Sequence, residues 1–116
     1  MRNLNQPFVI ANSGTSSTQA IDTTNTLRAS AQAVFTDGTA AGILSLQGSN
    51  DQTNAGNLPA DFTPTHWSTI VSASATTAGA ITMIPSTELS YRWIRIVFVS
   101  TGGAGTITVS LNTLGY

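Results

Sequence analysis

Apolar residues recur at every second position along most of the chain, and Gly, Asn, Asp, Ser and Thr interrupt the pattern at short intervals. A period of two is the signature of half-buried strands, and regular punctuation of this kind points to an all-β sandwich or barrel. Helical spacing is nearly absent. The clearest alternation runs from Leu27 to Thr36. There Leu27, Ala29, Ala31, Ala33 and Phe35 share one face, and Arg28, Ser30, Gln32 and Val34 share the other. The alanines fill little space, so something bulky is expected to pack over them. Thr106 to Asn112 alternates as strictly, with Ile107, Val109 and Leu111 inward and Thr106, Thr108 and Ser110 outward.

The remaining strands are shorter or less regular. Phe8 to Ala11 follows Pro7 and reads as an edge strand. Gln19 to Asp22 is short. Ala41 to Gly48 places Leu44 and Leu46 inward. Trp67 to Ser72 and Ala80 to Ile84 follow, the latter expected to end at Pro85. Tyr91 to Thr101 is long, strongly apolar and expected to be central in a sheet. The pattern therefore predicts eight strands in one domain covering residues 1–116, with neither repeat nor linker. Residues 1–7 read as a flexible N-terminal arm and residues 12–18 as a flexible turn. Gly102-Gly103-Ala104-Gly105 reads as a tight turn joining the last two strands into a hairpin.

Charge sharpens this picture. Only 8% of the residues are charged, against about a quarter in ordinary globular proteins. The basic side chains are Arg2, Arg28, Arg92 and Arg95; the acids are Asp22, Asp37, Asp51, Asp61 and Glu88. With a net charge of −1, the chain lacks the basic patch that tracks nucleic-acid phosphates or anionic membranes. No apolar run reaches transmembrane length, and Phe8 to Ala11 is too short for a signal-peptide core. With Met1 in place the chain reads as a complete small product made in the cytoplasm. A near-neutral surface rich in Thr, Ser, Asn and Gly resists self-association poorly. It suits a protein that packs against copies of itself or a larger assembly, more than one that merely lives outside the cell.

Candidate chemistry is sparse. The chain has no cysteine, hence no disulfide scaffold, thiolate zinc site or cysteine nucleophile. His66 is the only histidine; no nucleophile elbow accompanies it, and it makes a weak zinc set with scattered aspartates. Asp37, Asp51 and Asp61 fall in turns, where Asp bonds its own backbone, and no pair of carboxylates is signalled as flanking a cleft. Asn50, Asp51, Asn54 and Asp61 offer the oxygen donors calcium prefers, without EF-hand spacing. The glycines of residues 102–105 precede a strand, not a helix, and form no phosphate loop. The chain reads as a non-enzyme with no cofactor and no assigned metal.

The segment LQGSNDQTNAGNLPADFTPTHWSTI, Leu46 to Ile70, is the longest interruption between strands. Asn50 and Asp51 suit a capped turn. Arg95 alternates with Trp93 and Val97 and needs a partner if buried; Asp51 or Asp61 is expected to supply it. Trp67 is expected to pack under the loop. The alternative is a stacking platform for a sugar, with Asn50, Asp61, His66 and Arg92 around it.

The order Ser49-Asn50-Asp51, then Trp67, then Tyr91-Arg92-Trp93-Ile94-Arg95-Ile96 resembles the discoidin or galactose-binding-like β-sandwich over about Leu44 to Leu111. That resemblance implies a jelly-roll-like antiparallel sandwich of eight main strands, and it implies sugar binding through loops at one end. The runs Ser30-Ala31-Gln32-Ala33-Val34-Phe35, Leu46-Gln47-Gly48-Ser49-Asn50-Asp51, Trp67-Ser68-Thr69-Ile70, Tyr91-Arg92-Trp93-Ile94-Arg95 and Gly105-Thr106-Ile107-Thr108-Val109 look closer still to small virion proteins of tailed bacteriophages. These resemble capsid decoration, head-fibre or tail-associated components. The implied function is a non-enzymatic structural one within the virion, made in the host cytoplasm. The implied partners are the chain itself, other virion proteins and host surface glycans, with neither nucleic acid nor membrane among them.

Overall fold

The computed structural model describes residues 3–11, 14–23, 26–36, 41–51, 63–75, 81–103 and 105–115. They form nine strands: β1 (Asn3–Ala11), β2 (Thr15–Ser17), β3 (Ile21–Asp22), β4 (Thr26–Phe35), β5 (Ala41–Ser49), β6 (Ser68–Ala75), β7 (Ile81–Glu88), β8 (Trp93–Gly102) and β9 (Thr106–Gly115). All pairings are antiparallel. One sheet has the order β1-β9-β4-β7 and the other β2-β8-β5-β6, with β3 also on β8.

β2 and β3 lie along the same edge of β8, and Thr18 bridges the break between them. Its N–H donates to the Ile96 carbonyl at 2.9 Å, and its hydroxyl accepts from the Ile96 N–H at 3.1 Å. Counted as one interrupted strand, they leave eight strands in the orders 1-8-3-6 and 2-7-4-5. That is the double-sheet jelly roll, the sandwich the sequence pattern and its resemblance predict.

The core lies between the sheets. From the first sheet come Ile10, Ala29, Ala31, Ala33, Phe35, Ile84, Ile107, Val109 and Leu111; from the second come Leu44, Leu46, Ile94, Ile96 and Phe98. The small β4 residues are matched by large ones opposite. Phe98 is fully buried, and its ring centroid lies 5.4 Å from that of Phe35 with the planes tilted by 57°. Each such large side chain contributes about 1.5–3 kcal/mol on leaving water.

Several local expectations change. Residues 3–7, read as an arm, form the first half of β1, with Asn3 opposite Leu114 and Pro7 opposite Ser110. An arm hydrogen-bonded to β9 is fixed by a ladder that its polar sequence did not advertise. Thr15–Ser17, read as turn, pairs with Val97–Val99. β7 continues through Pro85 because the register with β4 shifts between Ala29 and Ala31, opposite this point. A proline is tolerated at a bulge on an edge strand, where its missing N–H breaks no ladder bond. Finally, β8 and β9 make no hairpin. Each is flanked by other strands in a different sheet, and Gly103 and Gly105, at φ of 86° and 89°, turn the chain from one sheet to the other. Consecutive strands with strong apolar faces can be central in opposite layers, and alternation alone does not distinguish that from a hairpin.

Candidate functional site

β5 and β6 are sequence neighbours paired in one sheet, and the segment between them starts at the end where β8 begins. The residues flanking that segment are tied to each other and to β8. Asn50 follows β5, and its side-chain carbonyl accepts the Arg92 N–H at 3.0 Å. Asp51 receives three groups from the returning chain. Its Oδ2 accepts the main-chain N–H of Thr65 at 2.7 Å and of His66 at 3.0 Å, and its Oδ1 meets His66 Nδ1 at 3.0 Å. The two backbone donors hold the Asp51 carboxyl below its usual range; bonds to the ionised form always act in that direction. The Asp51 carbonyl accepts the indole N–H of Trp93 at 3.1 Å. One aspartate thus closes the segment from Asp51 to His66 and fastens it to the start of β8.

Two tryptophan–arginine pairs sit alongside. The Arg92 guanidinium lies 5.3 Å from the Trp93 ring centroid and pairs with Asp22 of β3 at 3.4 Å. The Arg95 guanidinium lies 4.3 Å over the Trp67 ring, and its Nε donates to Gln47 Oε1 at 2.9 Å. Partial burial draws Arg95 below its ordinary pKa. Trp93 is buried, whereas Trp67 is half-buried and donates its indole N–H to the Pro64 carbonyl at 3.1 Å. The Tyr91 ring packs flat on Gly48, so close that a Cβ there would stand 2.4 Å from Tyr91 Cγ.

The structure therefore brings Asn50, Asp51, His66 and Arg92 together and sets Trp67 beside Arg95. It does not join Asp51 to Arg95. Asp51 is used up by Thr65 and His66, and the Arg95 partners are Gln47 and Trp67. Asp61 and Asn54 lie outside the described residues. Sequence reasoning overlooked Gln47, although it stands directly opposite Arg95 in the β5–β8 register; a cross-strand pair is visible only once the register is known. It also overlooked Thr65, which contributes a main-chain N–H that no side-chain motif marks. Among the described residues no group of three or more His, Cys, Asp or Glu could hold a metal ion. This end of the sandwich is a polar clasp with one half-buried tryptophan ring.

A second surface stands out on the outer face of the β1-β9-β4-β7 sheet. Register aligns Val9, Thr108, Val34 and Ile81 in one row across all four strands, and Pro7, Ser110, Gln32 and Met83 in the next. Val9 is 70% exposed, Ile81 and Met83 are each 58% exposed, and Val34 is 38% exposed. A shallow concavity of about 330 Å³ adjoins them, lined by Ser30, Ala31, Gln32, Met83, Ser110 and Asn112. Neither row holds a charged residue. Arg28 and Glu88 face each other further along, and Arg28 Nε bonds Ser86 Oγ at 2.9 Å. Contiguous exposed apolar residues rimmed by polar ones are characteristic of protein-contact surfaces.

No protein-family model matches the sequence, and no curated protein matches it. Among solved structures, the fold is similar to that of the PBSX exported protein XepA, with a TM-score of 0.71 at 15% identity over 97% of this chain. The chain spans 37% of the length of that protein. The K2 cleaved adhesin domain of Lys-gingipain aligns over 86% of this chain and 62% of its own, at 13% identity and a TM-score of 0.48. At these identities the first likeness establishes the sandwich fold alone.

Proposed function

We propose that this protein is a non-enzymatic structural component of a bacteriophage particle, acting by packing the outer face of its β1-β9-β4-β7 sheet against a protein neighbour. The observation that carries the reading is the uncharged double row on that face, with Val9, Val34, Ile81 and Met83 all exposed. Such a face costs little to desolvate because no charge must be stripped of water, and it gains from each apolar group it covers. The resemblance of the sequence runs to small virion proteins and the likeness of the fold to a phage-related exported protein support the setting. The partner is another virion protein or a further copy of the chain, and the place of action is the assembled particle.

The test is binding and self-association with Val34→Asp set against the wild type. Light scattering over a concentration range, at low and moderate salt, measures self-association. Sedimentation with purified particles lacking the protein measures docking on a lattice. A carboxylate in the centre of the row must abolish docking on the lattice, without altering the melting temperature. Retained docking in the variant rejects this face.

A second reading rests on Trp67. Its half-buried ring at the β5–β6 end of the sandwich, with Arg95 over one face, suits a host-surface glycan that stacks on the other aromatic face. Quenching of Trp67 fluorescence by a titrated glycan, lost in Trp67→Ala, tests it.

A further inference from the structure

The four lateral edges of the sandwich are treated unequally. Edge strands invite pairing with another chain unless something blocks them. β1 carries Pro7, which has no N–H to offer. β7 carries Pro85 beside a register shift. The β2/β3 edge is broken into three residues and two, with Thr18 between them. β6 has no proline and no break. Its eight residues, STIVSASA, carry no charge, and among the described residues it pairs only with β5. The one irregularity, a register shift at Ile70, leaves Val71 to Ala75 regular.

Among the described residues, the core is also less fully covered at this edge. Val71 and Ala73 stand opposite Leu46 and Leu44 and share their inward face. Leu44 and Leu46 are fully buried, yet Val71 and Ala73 are only half-buried. An unguarded ladder and an incompletely covered apolar row coincide on one strand.

We infer that β6 pairs antiparallel with β6 of a second copy of this chain, joining the two β2-β8-β5-β6 sheets into one continuous sheet. A second copy is the occupant because the strand is its own complement. A two-fold axis perpendicular to the sheet reverses the strand direction and keeps both inward faces on one side. It therefore sets Val71 and Ala73 of each copy against the same residues of the other, and the same patch covers both gaps. With no charge on the strand, like meets like without repulsion. The pairing goes beyond the proposed docking face, which it leaves free on the opposite sheet of both copies.

Sedimentation velocity over a concentration range, on wild type, Ser72→Lys and Val34→Asp, tests the inference. Ser72 is exposed, and lysine there places two ammonium groups near the axis. The wild type and Val34→Asp are expected to form a dimer, and Ser72→Lys to remain monomeric with an unchanged melting temperature. The chain has no native cysteine, so oxidation of single-cysteine variants gives a second readout that does not depend on the lysine variant folding. Ser72→Cys is expected to yield a covalent dimer, and Thr101→Cys on β8 none. A wild type that stays monomeric at every concentration overturns the inference. So does self-association abolished by Val34→Asp but untouched by Ser72→Lys; that result moves the joint to the other sheet and leaves the proposed function standing.

Discussion

Replacing Gly48 by alanine tests whether the Tyr91 ring is seated by the absence of a side chain. The added Cβ would stand 2.4 Å from Tyr91 Cγ and 2.8 Å from both Cδ atoms, whereas ordinary contact begins at 3.4 Å. The ring must retreat by about 1 Å, a gap that forfeits a quarter to a half of each van der Waals contact. A half-buried tyrosine covers about 100 Å², which at about 25 cal/mol per Å² is worth ~2.5 kcal/mol. Losing up to half of that, with some strain, costs about 1–3 kcal/mol, the usual range for overpacking. Alanine restricts the unfolded chain and returns about 0.4–1 kcal/mol. The net expectation for Gly48→Ala is a loss of about 0.5–2 kcal/mol. The three nearest atoms all belong to Tyr91, so Tyr91→Ala must relieve that clash. Urea melts of the two single variants and the double variant form a cycle, and the double variant should be more stable than the sum predicts by about 1 kcal/mol or more. Additivity within about 0.3 kcal/mol would refute the contact, and with it the account of how Tyr91 is held ahead of Arg92 and Trp93.

Phe98→Ala, at the centre of the core, should cost about 3–5 kcal/mol in urea unfolding; a loss below about 1 kcal/mol would mean that the ring does not fill the space above the β4 alanines. The Asp51 carboxyl is held below its ordinary value of 3.8, so its contribution is present above that value and fades as pH falls through it toward the lowered one. The stability gap between wild type and Asp51→Asn should therefore be constant above about pH 5 and close on acidification; a gap that widens in acid would contradict the backbone bonds from Thr65 and His66. Trp93→Phe leaves Trp67 as the sole tryptophan, and on excitation at its red edge acrylamide should quench it several-fold more efficiently than the buried Trp93 left in Trp67→Phe; equal quenching would place both rings in the same environment.

The outcome divides by the range over which each feature is encoded. Alternation is local, and it marked the inward faces of β4, β5 and β9 correctly: Ala29, Ala31, Ala33, Phe35, Leu44, Leu46, Ile107, Val109 and Leu111 are all buried. The edge character of Pro7 was legible for the same reason, since a missing N–H acts at its own position. Pairing partners were not legible. Whether β8 meets β9 depends on which layer each strand enters, and nothing in either strand states that. The Arg95 partner was misread for a related reason. Charge complementarity named Asp51 or Asp61; Asp61 lies outside the described residues, and for Asp51 the register put Gln47 opposite Arg95 instead and turned Trp67 beneath it. Turn chemistry predicts that Asp51 bonds its own backbone, whereas its carboxylate accepts from a segment returning fourteen residues later, through Thr65, which is long-range information that the turn chemistry of Asp does not carry.

The place of β9 has a consequence for how the protein is made. β9 follows the other eight described strands in chain order, yet it stands between β1 and β4. Until it arrives, β1 has no partner in its sheet, and the apolar faces of Ala29, Ala31, Ala33 and Phe35 have an open neighbouring position. The sandwich cannot close until β9 has been made, and until then its unpaired strands are prone to aggregate. Closure waits for β9, and the low charge of the chain offers it little protection meanwhile.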